Sequence, residues 1–391
     1  MTARAPTSLS INLQIISIVF YTFIAFISIG LPIAVLPGYV HDQLGFSAVV
    51  AGLTIASQYL ATLLSRPLAG RMADGLGTKR TIIVGLSGIA VSGALTLLST
   101  LLQSSPDASL AVLIGARLLL GAAQGLVGVG TISWGIGQLG SEHTARVISW
   151  NGIASYGAIA ISAPLGVVMV GSSGFWTLGV ALMALAGLAL LLIRDKPSVP
   201  VLRGERMPFW AAFGRVAPFG LSLTLASIGY GTLTTFITLY YLDRGWQGAA
   251  YCLSAFGASF ILARLLFINS VSRLGGFTVA LACMGVEILG MILLWLAPNT
   301  VTALLGASLA GVGLSLVYPA LAVVAIRTVP SSSRGAGLSA FAVFFDLSLA
   351  LAGPLMGAIA LNLGYRWIFF CAAWLALAGL GLTGWLKRRH G

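Results

Sequence analysis

The sequence predicts an all-α polytopic membrane protein, twelve transmembrane helices arranged as two pseudo-symmetric six-helix bundles. Three observations predict it. Of 391 residues, 58% are hydrophobic and 8% charged, and the mean hydropathy is +1.01. A soluble domain has no interior large enough to hide that much apolar surface, whereas about 20 consecutive apolar residues cross a bilayer. The chain also repeats itself once. Ser65-Arg66-Pro67-Leu68-Ala69-Gly70 runs on to Leu76-Gly77, and Ala263-Arg264-Leu265-Leu266 runs on to Leu274-Gly275, so the intramembrane basic residues Arg66 and Arg264 stand at matching places. A second echo sets Ala163-Pro164-Leu165-Gly166 against Gly353-Pro354-Leu355-Met356-Gly357. One repetition over a hydrophobic background is the pattern of two homologous bundles that rock against each other around a central site. The third observation is that the basic residues fall on one side of the spans.

Taken in order, the apolar runs place spans at roughly 12–36, 46–69, 80–102, 108–134, 146–170, 174–193, 213–241, 248–270, 277–297, 300–326, 335–361 and 365–386. The first run is too long for a signal-peptide core and lacks a small-residue cleavage site, so it is expected to stay as the first span. Between the sixth and seventh runs, Arg194, Asp195, Lys196, Pro197, Pro200, Arg203, Glu205, Arg206 and Pro208 interrupt the apolar pattern. They mark a linker, giving an amino-terminal bundle over 1–193, a linker over 194–210 and a carboxy-terminal bundle over 211–391. The other connections are a few residues long, which makes neighbouring helices antiparallel. Forty-nine glycines suit close approach of membrane helices.

The net charge of +12 invites a nucleic-acid reading, but the basic residues form no groove or stripe. With a cytoplasmic amino terminus, the inner side receives Arg4, Arg71, Lys79, Arg80, Arg146, Arg194, Lys196, Arg203, Arg206, Arg215, Arg273, Arg327, Arg334, Lys387, Arg388 and Arg389, and the outer side Arg244 and Arg366. That asymmetry is a topology signal, and it puts both termini and the linker inside. Cys252, Cys283 and Cys371 fall in apolar runs without metal spacing and read as small packing residues. No His-Glu-x-x-His or Gly-x-Ser-x-Gly occurs, and His41, His143 and His390 lie near surfaces or in the tail, which argues against an enzyme.

The loop Gly70-Arg71-Met72-Ala73-Asp74-Gly75-Leu76-Gly77-Thr78-Lys79-Arg80 resembles the signature between the second and third helices of the major facilitator superfamily. The resemblance implies a conformational latch built from Gly70, Asp74, Gly77, Lys79 and Arg80, with Asp74 at the start of the eleventh helix, where free N–H groups favour a carboxylate. Gly75 stands where the family often has a basic residue. The other reading of the loop is a plain cluster of inner-side charge. Arg117-Leu118-Leu119-Leu120-Gly121-Ala122-Ala123-Gln124-Gly125 resembles the fourth-helix motif, whose Arg is implicated in proton coupling in that family; a structural Arg held by carbonyls is the competing reading. The run from Asn151 and Gly152 through Gly157 to Pro164 and Gly166 resembles the antiporter signature, with Ala163 in place of the Gly before proline. It implies a softened helix bending against the opposite half; a simple proline kink is the alternative.

Two of the acidic residues lie within spans, Glu287 in the ninth and Asp346 in the eleventh. A carboxyl group in low dielectric is costly when ionised, so both are candidates to carry a proton. Glu287 has a second reading, an ion pair with Arg264. Gln124, Trp134, Tyr230, Thr234 and Tyr318 lie on helices that line the cavity in this fold, where aromatics with a polar tip suit an amphipathic molecule. Gly30-Leu31-Pro32, Leu36-Pro37-Gly38-Tyr39-Val40-His41, Ser149-Trp150-Asn151-Gly152, Thr235-Phe236-Ile237-Thr238-Leu239 and Ser315-Leu316-Val317-Tyr318-Pro319 narrow the resemblance to the bacterial YhhS/YfcJ-type inner-membrane branch. The resemblance implies proton-coupled efflux by antiport of a small organic molecule such as a drug, sugar or metabolite. Import by a symporter or facilitator, and a non-transporting receptor or scaffold, are the other readings. The expected partners are substrate, protons and the lipid bilayer. The chain is expected to act as a monomer in the inner membrane, powered by the proton gradient without a cofactor.

Overall fold

The computed structural model describes residues 8–33, 35–46, 48–200 and 207–390, so Arg4, Arg203, Glu205 and Arg206 lie outside the described residues. Each of the twelve expected spans is helical. In chain order they are Ser8–Ile33, Ala48–Gly75, Thr78–Leu101, Pro106–Leu139, Thr144–Ser173, Trp176–Ile193, Phe209–Asp243, Ala249–Leu266, Gly276–Leu296, the broken tenth span Thr300–Ser315 with Val317–Arg327, Arg334–Leu363 and Tyr365–His390. Among the described residues, ten of these spans are both long and apolar enough to cross a membrane. The other two are the second and the eighth. They are the spans that carry Arg66 and Arg264, and the apolar run of the eighth is short, Tyr251–Leu266. The first span ends near Pro32 and the chain continues through Leu36–Gly38 into a π-helical turn at Tyr39–Gln43. There the Tyr39 ring stacks on Phe175 at 3.9 Å.

The repeat is present in the backbone as well as in the residues. The fifth and eleventh helices are each 30 residues long, and each follows a short 3₁₀ turn, Ser141–His143 or Ser331–Ser333. Each ends on a glycine with φ +94°, Gly174 or Gly364. Gly77 (φ 93°, ψ 152°) and Gly275 (φ 83°, ψ 150°) turn the chain into the third and ninth helices in nearly the same conformation. Side chains other than hydrogen make such dihedrals costly, which explains why the Leu-Gly pair recurs.

The chain divides into two compact units. The first comprises Met1–Ser141, Trp150–Phe209 and Ser331–Ser339, and the second Glu142–Ser149, Trp210–Pro330 and Ala340–Gly391. The starts of the fifth and eleventh helices are thus grouped with the unit formed by the other half of the sequence. The first unit is cored by Ile18, Tyr21, Leu86, Ile89, Leu120, Val127, Trp134, Leu178 and Leu182. In the second, Phe219, Leu223, Tyr240, Met284, Met291, Leu294 and Phe369 are buried. Glycines let the backbones approach closely in both. A Cβ on Gly93 would lie 2.8 Å from Gly179 O, and one on Gly290 would lie 2.7 Å from Gly306 O.

Candidate functional site

In the first unit, Asp74 closes the second helix against the start of the eleventh. Its Oδ1 accepts the N–H of Gly335 at 2.7 Å and its Oδ2 that of Ala336 at 2.9 Å. The first N–H groups of a helix have no partner within the helix and carry its positive dipole end, so a carboxylate meets both needs. Two glycines make the approach possible. A Cβ on Gly70 would stand 2.8 Å from Ala336 Cα, and one on Gly335 would stand 2.7 Å from Asp74 Oδ1. The Ser339 hydroxyl, one turn further along, donates to Arg66 O. Lys79 does something else. Its Nζ donates to Arg194 O at 2.9 Å and Lys196 O at 2.6 Å, capping the carbonyl end of the sixth helix, while Arg80 is exposed. The residues expected as one latch therefore serve two helix ends.

The fourth helix carries Arg117, 1% exposed, whose Nη2 donates to Thr96 Oγ1 at 3.3 Å and whose Nε has no acceptor among the described residues. One turn on, a Cβ at Gly121 would lie 2.0 Å from Gln58 O, so the second helix touches the fourth here. Thr62 of the second helix donates to Gln124 Oε1 at 3.2 Å. Trp134, expected to line a cavity, is fully buried. Its ring lies 5.8 Å from Tyr21 and its indole N–H is donated to Pro197 O at 3.1 Å, which pins the segment after the sixth helix.

The fifth helix runs unbroken through Pro164. Asn151 Oδ1 accepts from Thr22 Oγ1 at 2.7 Å, and a Cβ at Gly166 would fall 1.8 Å from Leu31 O. At Gly166 the glycine-rich face serves contact with the first helix of its own half. Gly152 is half-buried, and a Cβ at Gly157 would meet nothing within 4 Å.

In the second unit, Arg264 is 3% exposed and donates through Nε to Ser315 O at 3.0 Å, and through Nη2 to the same oxygen. The reason lies four residues on. Pro319 has no N–H to give to Ser315 O, the tenth span breaks there, and the guanidinium supplies the missing donor. Its carbon also lies 4.5 Å from the Phe260 ring centroid.

Glu287 is 1% exposed, and among the described residues neither carboxyl oxygen has a hydrogen-bond partner. Among the described residues no hydrogen bond joins Glu287 to Arg264, whose guanidinium is donated to Ser315 O. The carboxyl group lies against Gly229, where a Cβ would come 3.0 Å from Glu287 Oε1, while Gly313 packs on the backbone of Glu287, where a Cβ would come 2.3 Å from its N.

Asp346 is half-buried on the eleventh helix. Around this stretch the structure gathers the expected aromatics. The neighbouring Phe345 ring is 6.4 Å from Tyr230 and 6.0 Å from Tyr318, and Tyr230 stacks on Phe256 at 5.2 Å. Thr234 is exposed, its hydroxyl donated back to Tyr230 O at 2.9 Å. Gln58, Gly229 and Gly313 were not singled out from sequence. A glutamine inside an apolar run was the signal available for the first, and the two glycines gain meaning only from what they face.

A family model described as Major Facilitator Superfamily matches residues 18–302. An MFS-type transporter of Pseudomonas aeruginosa is 55% identical over 380 residues, covering 97% of this chain and 94% of its own. One of Burkholderia mallei is 52% identical over 379 residues, covering 97% and 93%. Among solved structures, the human organic anion transporter MFSD10 aligns with a TM-score of 0.80 at 15% identity, covering 95% of this chain and 99% of its own. The Escherichia coli fucose:proton symporter aligns at 0.78 and 15%, covering 96% and 99%.

Proposed function

The chain belongs to the Major Facilitator Superfamily and is a secondary transporter, and from that premise we propose that it couples export of a small amphipathic organic molecule to proton entry. One observation carries the proposal: Glu287, buried with both carboxyl oxygens unbonded. An ionised carboxylate in that setting is strongly disfavoured, so the side chain holds a proton until water or a cation reaches it. A structural carboxylate would be expected to have donors. Asp346, half-buried and next in sequence to Phe345, whose ring lies near those of Tyr230 and Tyr318, would supply a second carboxyl group on the helix where an amphipathic substrate would lie.

The transporter works in this proposal as a monomer in the bacterial inner membrane, with both termini cytoplasmic and with the proton gradient as its energy source. Export is preferred because the fifth helix carries the antiporter-like run from Asn151 to Gly166. Proton symport into the cell is the second reading, and the direction of proton flux on adding substrate separates the two. The test is a pair of isosteres in proteoliposomes. Glu287→Gln and Asp346→Asn should each abolish or strongly reduce transport driven by a pH gradient while exchange of substrate across the membrane persists. Unchanged proton-driven transport in both variants would overturn coupling through these groups.

A further inference from the structure

The two halves carry the same parts after their second and eighth helices and use them differently. Asp74 stands eight residues after Arg66, and Ser272 stands eight after Arg264; Gly70 and Ile268 precede those two residues by four. Across the seam, Gly335, Ala336 and Ser339 are the second, third and sixth residues of the eleventh helix, and Ala145, Arg146 and Ser149 are those of the fifth. The first set is engaged. Asp74 accepts two N–H groups, the Ser339 hydroxyl donates to Arg66 O, and Gly70 and Gly335 let the backbones meet. The second set also comes together, since Ile268 and Ser272 line one cavity with Ala145 and Arg146.

That cavity measures about 280 Å³, and the residues explain why it is there. Ile268 and Ala145 have side chains where Gly70 and Gly335 have hydrogen, so the backbones are held apart. Ser272 has no charge, and its hydroxyl is donated to Asn269 O at 2.9 Å, within its own turn. The Ser149 hydroxyl is fully buried and has no hydrogen-bond partner among the described residues, where its counterpart Ser339 has Arg66 O. The approach of the chain differs too. The second helix is continuous through Asp74 to Gly75, whereas the eighth ends at Leu266 and Ser272 sits in the separate short helix Ser270–Leu274. A seam with a cavity in it and no charged hydrogen bond across it opens at lower cost than a packed, bonded one. We infer that the two seams are an unequal pair: Asp74 latches the eleventh helix, and the seam at the fifth helix is left unlatched, so that it parts first when the transporter changes state.

The test needs neither substrate nor proton gradient, so its outcome is separate from that of the transport proposal. The purified full-length chain, with Cys252→Ala, Cys283→Ala and Cys371→Ala, receives either Ser149→Cys or Ser339→Cys and is labelled in detergent by a polar thiol reagent. Both positions are fully buried, so labelling reads opening of the seam. Each rate is taken relative to the same variant in denaturant. Ser149→Cys should react at least about tenfold faster than Ser339→Cys, the difference that one hydrogen bond to a charged group makes to an opening equilibrium. Asp74→Ala should bring the two rates together by accelerating Ser339→Cys alone. Ser272→Asp with Ile268→Gly and Ala145→Gly gives the fifth-helix seam the parts of the engaged one and should slow Ser149→Cys several-fold; if that variant does not fold, Ser272→Asp alone takes its place. Equal rates at the two positions, or a faster rate for Ser339→Cys, would overturn the inference. So would a Ser149→Cys rate that Ser272→Asp leaves unchanged.

Discussion

Gly166 and Gly157 occupy one helix and make opposite demands on a side chain. A Cβ at Gly166 would strike Leu31 O at 1.8 Å, whereas one at Gly157 would meet nothing within 4 Å. Gly166→Ala should therefore cost about 1–3 kcal/mol through overpacking. Gly157→Ala should be neutral or stabilising by up to about 1 kcal/mol, since alanine is the better helix former. Thermal unfolding in detergent checks both, and equal melting temperatures for the two variants would contradict the packing described. Arg264 gives a second case. With Arg264→Met, Ser315 O loses the donor that replaces the N–H absent from Pro319, at a cost of about 1–3 kcal/mol on the same assay. The sequence displayed Arg264, Pro319 and the glycines, and composition alone marked them as unusual. It did not display which carbonyl each one faces, because that depends on how helices far apart in the chain are aligned. For that reason Glu287 had two readings in the sequence, proton carrier or partner of Arg264, and the donation of the guanidinium to Ser315 O became visible only in the structure.

The start of the eleventh helix is held by a side chain from the last turn of the second, Asp74. Asp74→Asn keeps an acceptor and loses the charge; Asp74→Ala loses both acceptors for Gly335 and Ala336. Loosening should be larger in Ala than in Asn, each hydrogen bond to a charged group contributing about 1.5–3 kcal/mol. A cysteine placed at Ser339, which is fully buried, reports the change. Its labelling by a polar thiol reagent should rise several-fold in Asp74→Ala, and unchanged labelling would show that Asp74 does not secure this helix. The loop motif made Gly70 and Asp74 legible as a pair. The role of Lys79 was not legible: the ammonium satisfies carbonyls at Arg194 and Lys196, and nothing local to Lys79 encodes the position of the sixth helix's end.

The repeat accounts for most of what the sequence conveyed about the whole chain. Twelve apolar runs gave twelve helices, and the Leu-Gly and Pro-Leu echoes correspond to matching glycine turns and matching 30-residue helices. Boundaries moved where prolines or charges sit, as at the first span's end and in the broken tenth. The proposed topology predicts that reporters fused at Gly391 and near Arg203 both register the cytoplasm, because the inner side holds nearly all the positive charge. A periplasmic signal from either would contradict twelve spans with an inner linker. The central claim is coupling, and its most direct measurement is proton flux in proteoliposomes containing a trapped pH-sensitive dye, challenged with a panel of drugs, sugars and metabolites. At least one compound should evoke a proton flux that Glu287→Gln or Asp346→Asn abolishes, while each variant retains the wild-type melting temperature or exceeds it. A substrate that crosses the membrane with no accompanying proton flux, or a flux that persists in both variants, would contradict the account.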